Sequence, residues 1–225
     1  VVTVSKALQQ EFQDLGNRGV DLITNGFDER RSQERKSPPD NLFTISYVGT
    51  LSRDRNPGLL WKTMGALLKN RSDHGRTVRI RMVGPIDHSV FESMEQAGLG
   101  NYIEKIDYVP HDEVSSILDT SHALLLIWIP GGNGVLTGKL FEYLDAQRFI
   151  LSVGPKGGDV VEILKSTGAG INADFDDMEA MHKAVAHLLN RIDLDSHILP
   201  RQNIDQFSRK SITGKFTQLL NEIVN

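Results

Sequence analysis

From Leu42 to the C-terminus, short β-branched or apolar runs alternate with stretches whose apolar residues recur at helical spacing. A parallel strand needs a crossover before the next strand can pair, so this alternation predicts a parallel sheet covered by helices. Strands are expected at Phe43 to Val48, Val78 to Val83, Ile103 to Val109, Ala123 to Ile129, Phe149 to Val153 and Ala169 to Asn172. In the second, Val78, Ile80 and Met82 alternate with Arg79 and Arg81, so one face is less buried than the other. The fourth is apolar throughout and belongs at the sheet centre. Helices are predicted at Pro57 to Leu68, with proline at the entry, and at Asp87 to Ala97, His111 to Leu118, Val160 to Lys165, Met178 to Leu189 and Ser211 to Val224. The expected fold is α/β, a doubly wound, mostly parallel six-stranded sheet of Rossmann-like order 3-2-1-4-5-6, with ligands beyond the C-terminal ends of neighbouring strands one and four. Two loops meet there, Gly49 to Asn56 and Pro130 to Thr137.

The second loop opens on Pro130, Gly131, Gly132, Asn133 and Gly134, the composition of a chain leaving a strand. A helix should follow, with Leu136, Leu140 and Leu144 forming an apolar stripe and Phe141 and Tyr143 beside it. Lys139 and Glu142 share another face in its first turns. The free N–H groups and positive dipole end at that terminus favour an anion, above all a phosphate. Glycines at the entry let a ligand approach the backbone closely. This reads as a nucleotide diphosphate site. The competing reading is a solvated pair beside an ordinary turn, and spacing alone favours it by about two to one. The Walker pattern is not met, because Leu140 stands where Ser or Thr should bind magnesium and Asn133 where the first Gly should be.

The first loop leaves its strand at Gly49 and carries Arg53 and Arg55, two guanidinium groups suited to chelating a diphosphate. Both could instead pair with Asp54 or Glu29 at the surface. Ahead of the sheet region, Val1 to Ser5 is strand-like, Lys6 to Leu15 reads as a short helix closed by Gly16, and Val20 to Ile23 is again strand-like before an Asn25-Gly26 turn. Glu29 to Asp40 is charged and proline-bearing, a linker or exposed loop.

A net charge of -4 argues against a general nucleic-acid or membrane-surface protein. The absence of cysteine excludes a disulfide scaffold and a thiolate metal site. With no apolar run of transmembrane length and no signal peptide, a soluble cytoplasmic protein is expected. The histidines show no metal-ligand spacing, and Asp193-Leu194-Asp195 lies far in sequence from the expected crevice, so no metal is expected.

Thr137-Gly138-Lys139-Leu140-Phe141-Glu142-Tyr143-Leu144, followed by Phe149-Ile150-Leu151, Gly154-Pro155 and Gly158-Asp159, resembles the donor-site segment of family 4 glycosyltransferases. The resemblance continues at Asn25 to Asp28 and Tyr47 to Pro57. Those enzymes have the GT-B fold, two Rossmann-like domains facing across a cleft. The resemblance implies that residues 1–28 are the tail of a first domain and the interdomain junction, that 29–40 are a linker or exposed loop, and that 41–225 are the donor-binding domain, in a chain truncated at Val1. It implies a retaining glycosyltransferase that moves a sugar from a nucleotide diphosphate sugar to a carbohydrate or lipid-linked acceptor, in polysaccharide or glycoconjugate synthesis. This fragment alone is expected to be inactive, because the acceptor is held by the first domain.

The implied donor-binding set is Gly49, Thr50, Arg53, Arg55, Pro110, His111, Gly134, Thr137, Gly138, Lys139 and Glu142. Arg55 and Lys139 would neutralise the diphosphate, Glu142 would take the ribose hydroxyls, the backbone from Gly131 to Gly138 would hold phosphate and sugar, and the Val109-Pro110-His111 loop would meet the base. Thr50 departs from the family pattern by replacing an Arg, and Gly134 by replacing a Glu eight positions before Glu142. No cofactor is implied beyond the nucleotide sugar as substrate, with UDP ranked ahead of GDP. The full-length enzyme would associate peripherally with the inner membrane face. Two alternatives stay open, a nucleotide-sugar epimerase of the same fold and a non-catalytic Rossmann-like binding module. A dehydrogenase is disfavoured, because no Gly-x-Gly-x-x-Gly follows strand one.

Overall fold

The computed structural model describes residues 1–16, 19–29, 36–39, 41–71, 77–128, 136–194, 198–200 and 202–224. It opens on a small parallel βαβ unit, β1 (Val2–Thr3), α1 (Lys6–Gly16) and β2 (Asp21–Leu22), with Val2 opposite Asp21 and Thr3 opposite Leu22. The chain then reaches Phe27, whose N–H donates to Phe207 O at 3.0 Å and whose carbonyl accepts from Arg209 N at 2.8 Å. Gly26 is required at this crossing, since a Cβ there would lie 2.2 Å from Phe207 O.

The main sheet is built from β3 (Leu42–Val48), β4 (Thr77–Val83), β5 (Ile103–Ile106), β6 (Ala123–Ile127), β7 (Phe149–Val153) and β8 (Gly170–Ala173). Its spatial order is β5-β4-β3-β6-β7-β8 and every neighbouring pair is parallel. This is the doubly wound order anticipated from the alternation, with β3 and β6 as neighbours at the winding reversal.

Helices α2 (Gly58–Lys69), α3 (His88–Gln96) and α7 (Met178–Asn190) supply residues to one apolar layer, against Phe43, Ile45 and Tyr47 of β3. Helices α4 (His111–Asp119), α5 (Gly138–Ala146) and α6 (Asp159–Thr167) supply the other, against Val48, Leu124 and Leu126. A final helix, α8 (Arg209–Val224), has no fully buried residue. No described helix is long and apolar enough to cross a membrane.

The strand boundaries differ from expectation where the partner strand stops. β5 ends at Ile106 rather than Val109, because β4 ends at Val83 and Gly84 N then donates to both Ile106 O and Asp107 O, closing the ladder. Ile129 lies outside the described residues. On β4 the less apolar face is satisfied by its neighbour, Arg81 Nε donating to Glu104 Oε2 at 2.7 Å and Arg79 pairing with the same carboxylate at 3.5 Å. Within 29–40, only part is described, and there Lys36 N donates to Asp119 Oδ2 at 3.3 Å while Lys36 Nζ donates to Ser116 Oγ at 2.9 Å.

α5 forms where its stripe predicts and buries Leu140, Phe141 and Leu144. Burial of each such side chain contributes about 1.5 to 3 kcal/mol, enough to fix the face on which Lys139 and Glu142 remain. Gln147 ends the helix in the left-handed region at φ 56°. Its Nε2 donates to Leu199 O at 3.0 Å, a contact that holds a non-glycine residue in that conformation.

Candidate functional site

The chain leaves β3 through Gly49, whose φ of 123° is a conformation that side chains disfavour. The loop that follows is clamped against the exit of β4: Gly49 N donates to Val83 O at 2.8 Å, Leu51 N to Pro85 O at 3.0 Å, and Asp87 N returns to Leu51 O at 2.9 Å. Arg53 to Arg55 form one 3-10 turn. Asn56 anchors the end of the loop, donating to Ser93 Oγ at 2.7 Å and accepting from Trp61 Nε1 at 2.9 Å.

Thr137 stands at the N-cap of α5, yet its side chain makes no capping hydrogen bond. Leu140 N donates to the Thr137 carbonyl at 3.2 Å, while the Thr137 hydroxyl takes none of the first-turn N–H groups, which suits a terminus that receives an anion. Gly138 is exposed, with open space where a Cβ would be.

Lys139 folds back toward β3. Its Nζ donates to the Tyr47 hydroxyl at 3.2 Å and lies 4.3 Å from the centre of the Tyr47 ring. Glycine at position 49 favours this approach, since a Cβ there would be 2.7 Å from Nζ and the φ of 123° disfavours any side chain. Burial pushes the Lys139 amine down to about 8, Arg55 pushes it further in the same direction, and Glu142 partly opposes them. Among the described residues no carboxylate forms an ion pair with Lys139. Two cations brought together, with no ion pair on Lys139 among the described residues, are an unfavourable arrangement that a bound polyanion would relieve.

Tyr47 is fully buried, and burial raises its phenol to about 12. Its hydroxyl donates to Thr50 O at 2.8 Å. Tyr143 of α5 reaches the other way, its hydroxyl accepting from Val48 N at 3.2 Å. The end of β3 and the first turns of α5 are thus locked by two tyrosines, one from each element.

The eleven residues of the expected donor set fall into groups. Gly49, Thr50, Arg55 and Lys139 gather beside Tyr47. Arg55 Nε donates to Ser52 Oγ at 3.2 Å. Arg53 is exposed, and its charge acts on Asp87, the N-cap of α3, whose carboxyl is held low chiefly by hydrogen bonds from Ser89. On the other flank of α5, His111 Nε2 lies 4.0 Å from Glu142 Oε1, and Pro110 precedes it at the N-cap of α4. Gly138, Glu142 and His111 border a cavity of about 190 Å³ between α4 and α5 that also takes in Phe27, Val114 and Leu118. Thr137 stands between the two groups, and Gly134 lies outside the described residues with the rest of 129–135.

Tyr47 and Tyr143 were not singled out as site residues from the sequence. The only signal was a hydroxyl-bearing aromatic two positions before the strand-ending glycine, and that pattern also describes an ordinary core residue. Of the discounted Asp193-Leu194-Asp195, Asp193 pairs with Arg71 at 2.6 Å and Asp195 lies outside the described residues. Among the described residues there is no group of three or more His, Asp or Glu that could hold a metal ion.

No protein-family profile matches the sequence, and no curated protein matches it. Solved structures do. HepE from Anabaena, solved in complex with UDP and glucose, superposes with a TM-score of 0.73 at 16% identity, over 98% of this chain and 62% of its own. A glycosyltransferase from Rickettsia africae gives 0.72 at 15% identity, over 100% and 63%. A TarM variant from S. aureus, solved with fondaparinux, alpha-GlcNAc-glycerol and UDP, gives 0.69 at 12% identity, over 98% and 43%. The chain therefore spans between 43% and 63% of the lengths of these structures. At such identities the likeness is one of fold: the six-stranded parallel sheet flanked by helices matches the Rossmann-like GT-B domains of glycosyltransferases.

Proposed function

We propose that this chain is the donor-binding part of a retaining glycosyltransferase that uses a nucleotide diphosphate sugar, with UDP ahead of GDP as the nucleotide. The observation that carries the reading is the convergence of Lys139 and Arg55 beside the N-terminus of α5, at the winding reversal of the sheet, without a carboxylate on Lys139 among the described residues. A diphosphate placed there meets two cations and the uncapped helix terminus together. As the bond between sugar and diphosphate breaks, negative charge grows on the leaving group, and fixed cations stabilise that charge more than the ground state.

In the same reading Glu142 accepts hydrogen bonds from the ribose hydroxyls, and His111, 4.0 Å away, stands on the side of the base. The likeness to structures solved with UDP supports the nucleotide. The acceptor, carbohydrate or lipid-linked, is assigned by family resemblance to a second domain across the cleft. Residues 1–225 are accordingly expected to bind donor and to transfer sugar poorly.

The test is thermal unfolding with UDP, GDP and ADP, beside Lys139→Ala and Glu142→Ala. A ligand at a hundred times its dissociation constant stabilises by about 2.7 kcal/mol, a shift of roughly 5 to 10 °C for a domain of this size. A shift with one nucleotide, lost in both variants, is the expected result. No shift with any of them refutes the donor site, and conversion of one nucleotide sugar into another without an acceptor would replace transfer by epimerisation.

A further inference from the structure

The donor reading explains why Lys139 and Arg55 are present, but not what holds a long, flexible lysine against a neighbouring cation. The side chain that does so is Tyr47. Its position, next to last in β3, puts the ring in the apolar layer, where it is fully buried. Its hydroxyl is the one polar atom of that ring, and it is used twice, accepting from Lys139 Nζ at 3.2 Å and donating to Thr50 O at 2.8 Å. The ring face adds a second hold on the ammonium at 4.3 Å.

We propose that Tyr47 is the positioning residue of the anion site, fixing through one hydroxyl both the ammonium of Lys139 and the backbone of the loop that carries Arg55. The proposal rests on the donor reading given above. It also bears on Thr50, which occupies the place of a family arginine. The backbone at position 50 is tied to the same hydroxyl that holds Lys139, so a cation from α5 is delivered beside Gly49, next to the position where the loop itself lacks one. Tyr47 touches no ligand in this scheme and acts through Lys139.

Two features separate this role from ordinary core packing. The hydroxyl contributes nothing to the apolar layer, so Tyr47→Phe keeps the buried ring and removes only the two hydrogen bonds. The ammonium is largely buried, hydrogen-bonded to Tyr47 from β3, and its charge is acted on by Arg55 from the following loop and by Glu142 from its own helix. Removing an acceptor from a buried ammonium disfavours its charged form. The loss of UDP binding at rising pH should therefore begin at lower pH in Tyr47→Phe than in the native chain.

The experiment is calorimetric titration with UDP and with pyrophosphate between pH 6.5 and 9.5, on the native chain, Tyr47→Phe, Tyr47→Leu and Tyr143→Phe. Beside it, the Lys139 amine is titrated by NMR in the ligand-free proteins. Loss of the hydroxyl should weaken UDP about threefold, and loss of hydroxyl and ring about tenfold or more. Tyr143→Phe, which loses only the Val48 bond, should leave the pH profile in place. Equal affinity and an unchanged pH profile in Tyr47→Phe overturn the proposal, as does an identical shift in Tyr143→Phe. If the native chain binds neither UDP nor pyrophosphate, the donor reading fails by itself. The NMR titration then decides the Tyr47 contact, and an unmoved Lys139 in Tyr47→Phe refutes it.

Discussion

Replacing Lys139 by Met should make the protein more stable while abolishing its nucleotide response. Met matches the length and apolar stem of lysine, and its sulfur packs well on an aromatic face such as that of Tyr47. What it removes is a buried charge. The Lys139 amine lies at about 8 against an ordinary 10.5. Below pH 8 both folded and unfolded chains hold the proton, and the native fold bears the whole interval, which at 1.36 kcal/mol per pH unit is about 3 kcal/mol. Above pH 8 the folded chain releases its proton while the unfolded chain keeps it, so native stability rises with pH until 10.5.

The advantage of Lys139→Met is therefore about 3 kcal/mol at pH 6.5 and about 1 kcal/mol at pH 9.5, or roughly 6 to 12 °C and 2 to 4 °C in Tm. Thermal unfolding at the two pH values, with and without UDP, measures it. A variant less stable than the native chain at pH 6.5, or an advantage that grows with pH, refutes the view that Lys139 is a strained cation held for a ligand.

Glu142→Gln should weaken UDP by about tenfold, the loss of charge-assisted hydrogen bonds to ribose, and leave pyrophosphate binding unchanged by calorimetry. Gly49→Ala forces a side chain into φ 123° and into the Lys139 ammonium; it should destabilise by about 1 to 3 kcal/mol in denaturant titration and weaken pyrophosphate as well as UDP. The Asp159 carboxylate accepts from Lys6 N and Ala7 N at 3.2 and 3.3 Å, capping α1 from α6. Asp159→Ala should therefore cost about 1 kcal/mol and speed amide exchange in the first turn of α1 without altering UDP affinity.

The alternation of strand and helix determined the sheet order, because a right-handed crossover between parallel strands leaves few ways to wind the chain. β6 was legible as central from its unbroken apolar run, and α5 from Leu136, Leu140 and Leu144. The approach of the loop after β3 to the start of α5 followed from topology alone, and most of the second loop lies outside the described residues. Lys139, Glu142, Arg55 and His111 were legible as candidates chiefly through the family resemblance, since spacing alone favours a solvated pair on α5 over a site.

How those candidates sort came from the family resemblance, which set Arg55 and Lys139 on the diphosphate and Glu142 on the ribose, and not from spacing. Spacing along α5 puts Lys139 and Glu142 on neighbouring turns, but only the packing of α5 against β3 sends Lys139 to Gly49 and leaves Glu142 facing His111. By residue type Arg53 and Arg55 look equivalent and only the resemblance singles out Arg55; in the structure the charge of Arg53 acts on Asp87 and that of Arg55 on Lys139. The sequence by itself determined the winding and the edge at which a ligand must bind, since those depend on periodicity, which is local. Only the tertiary structure decided that Lys139 reaches Gly49 and that Tyr47 holds it there. That depends on distances between segments some ninety residues apart, the separation between Tyr47 and Lys139, which no local pattern encodes.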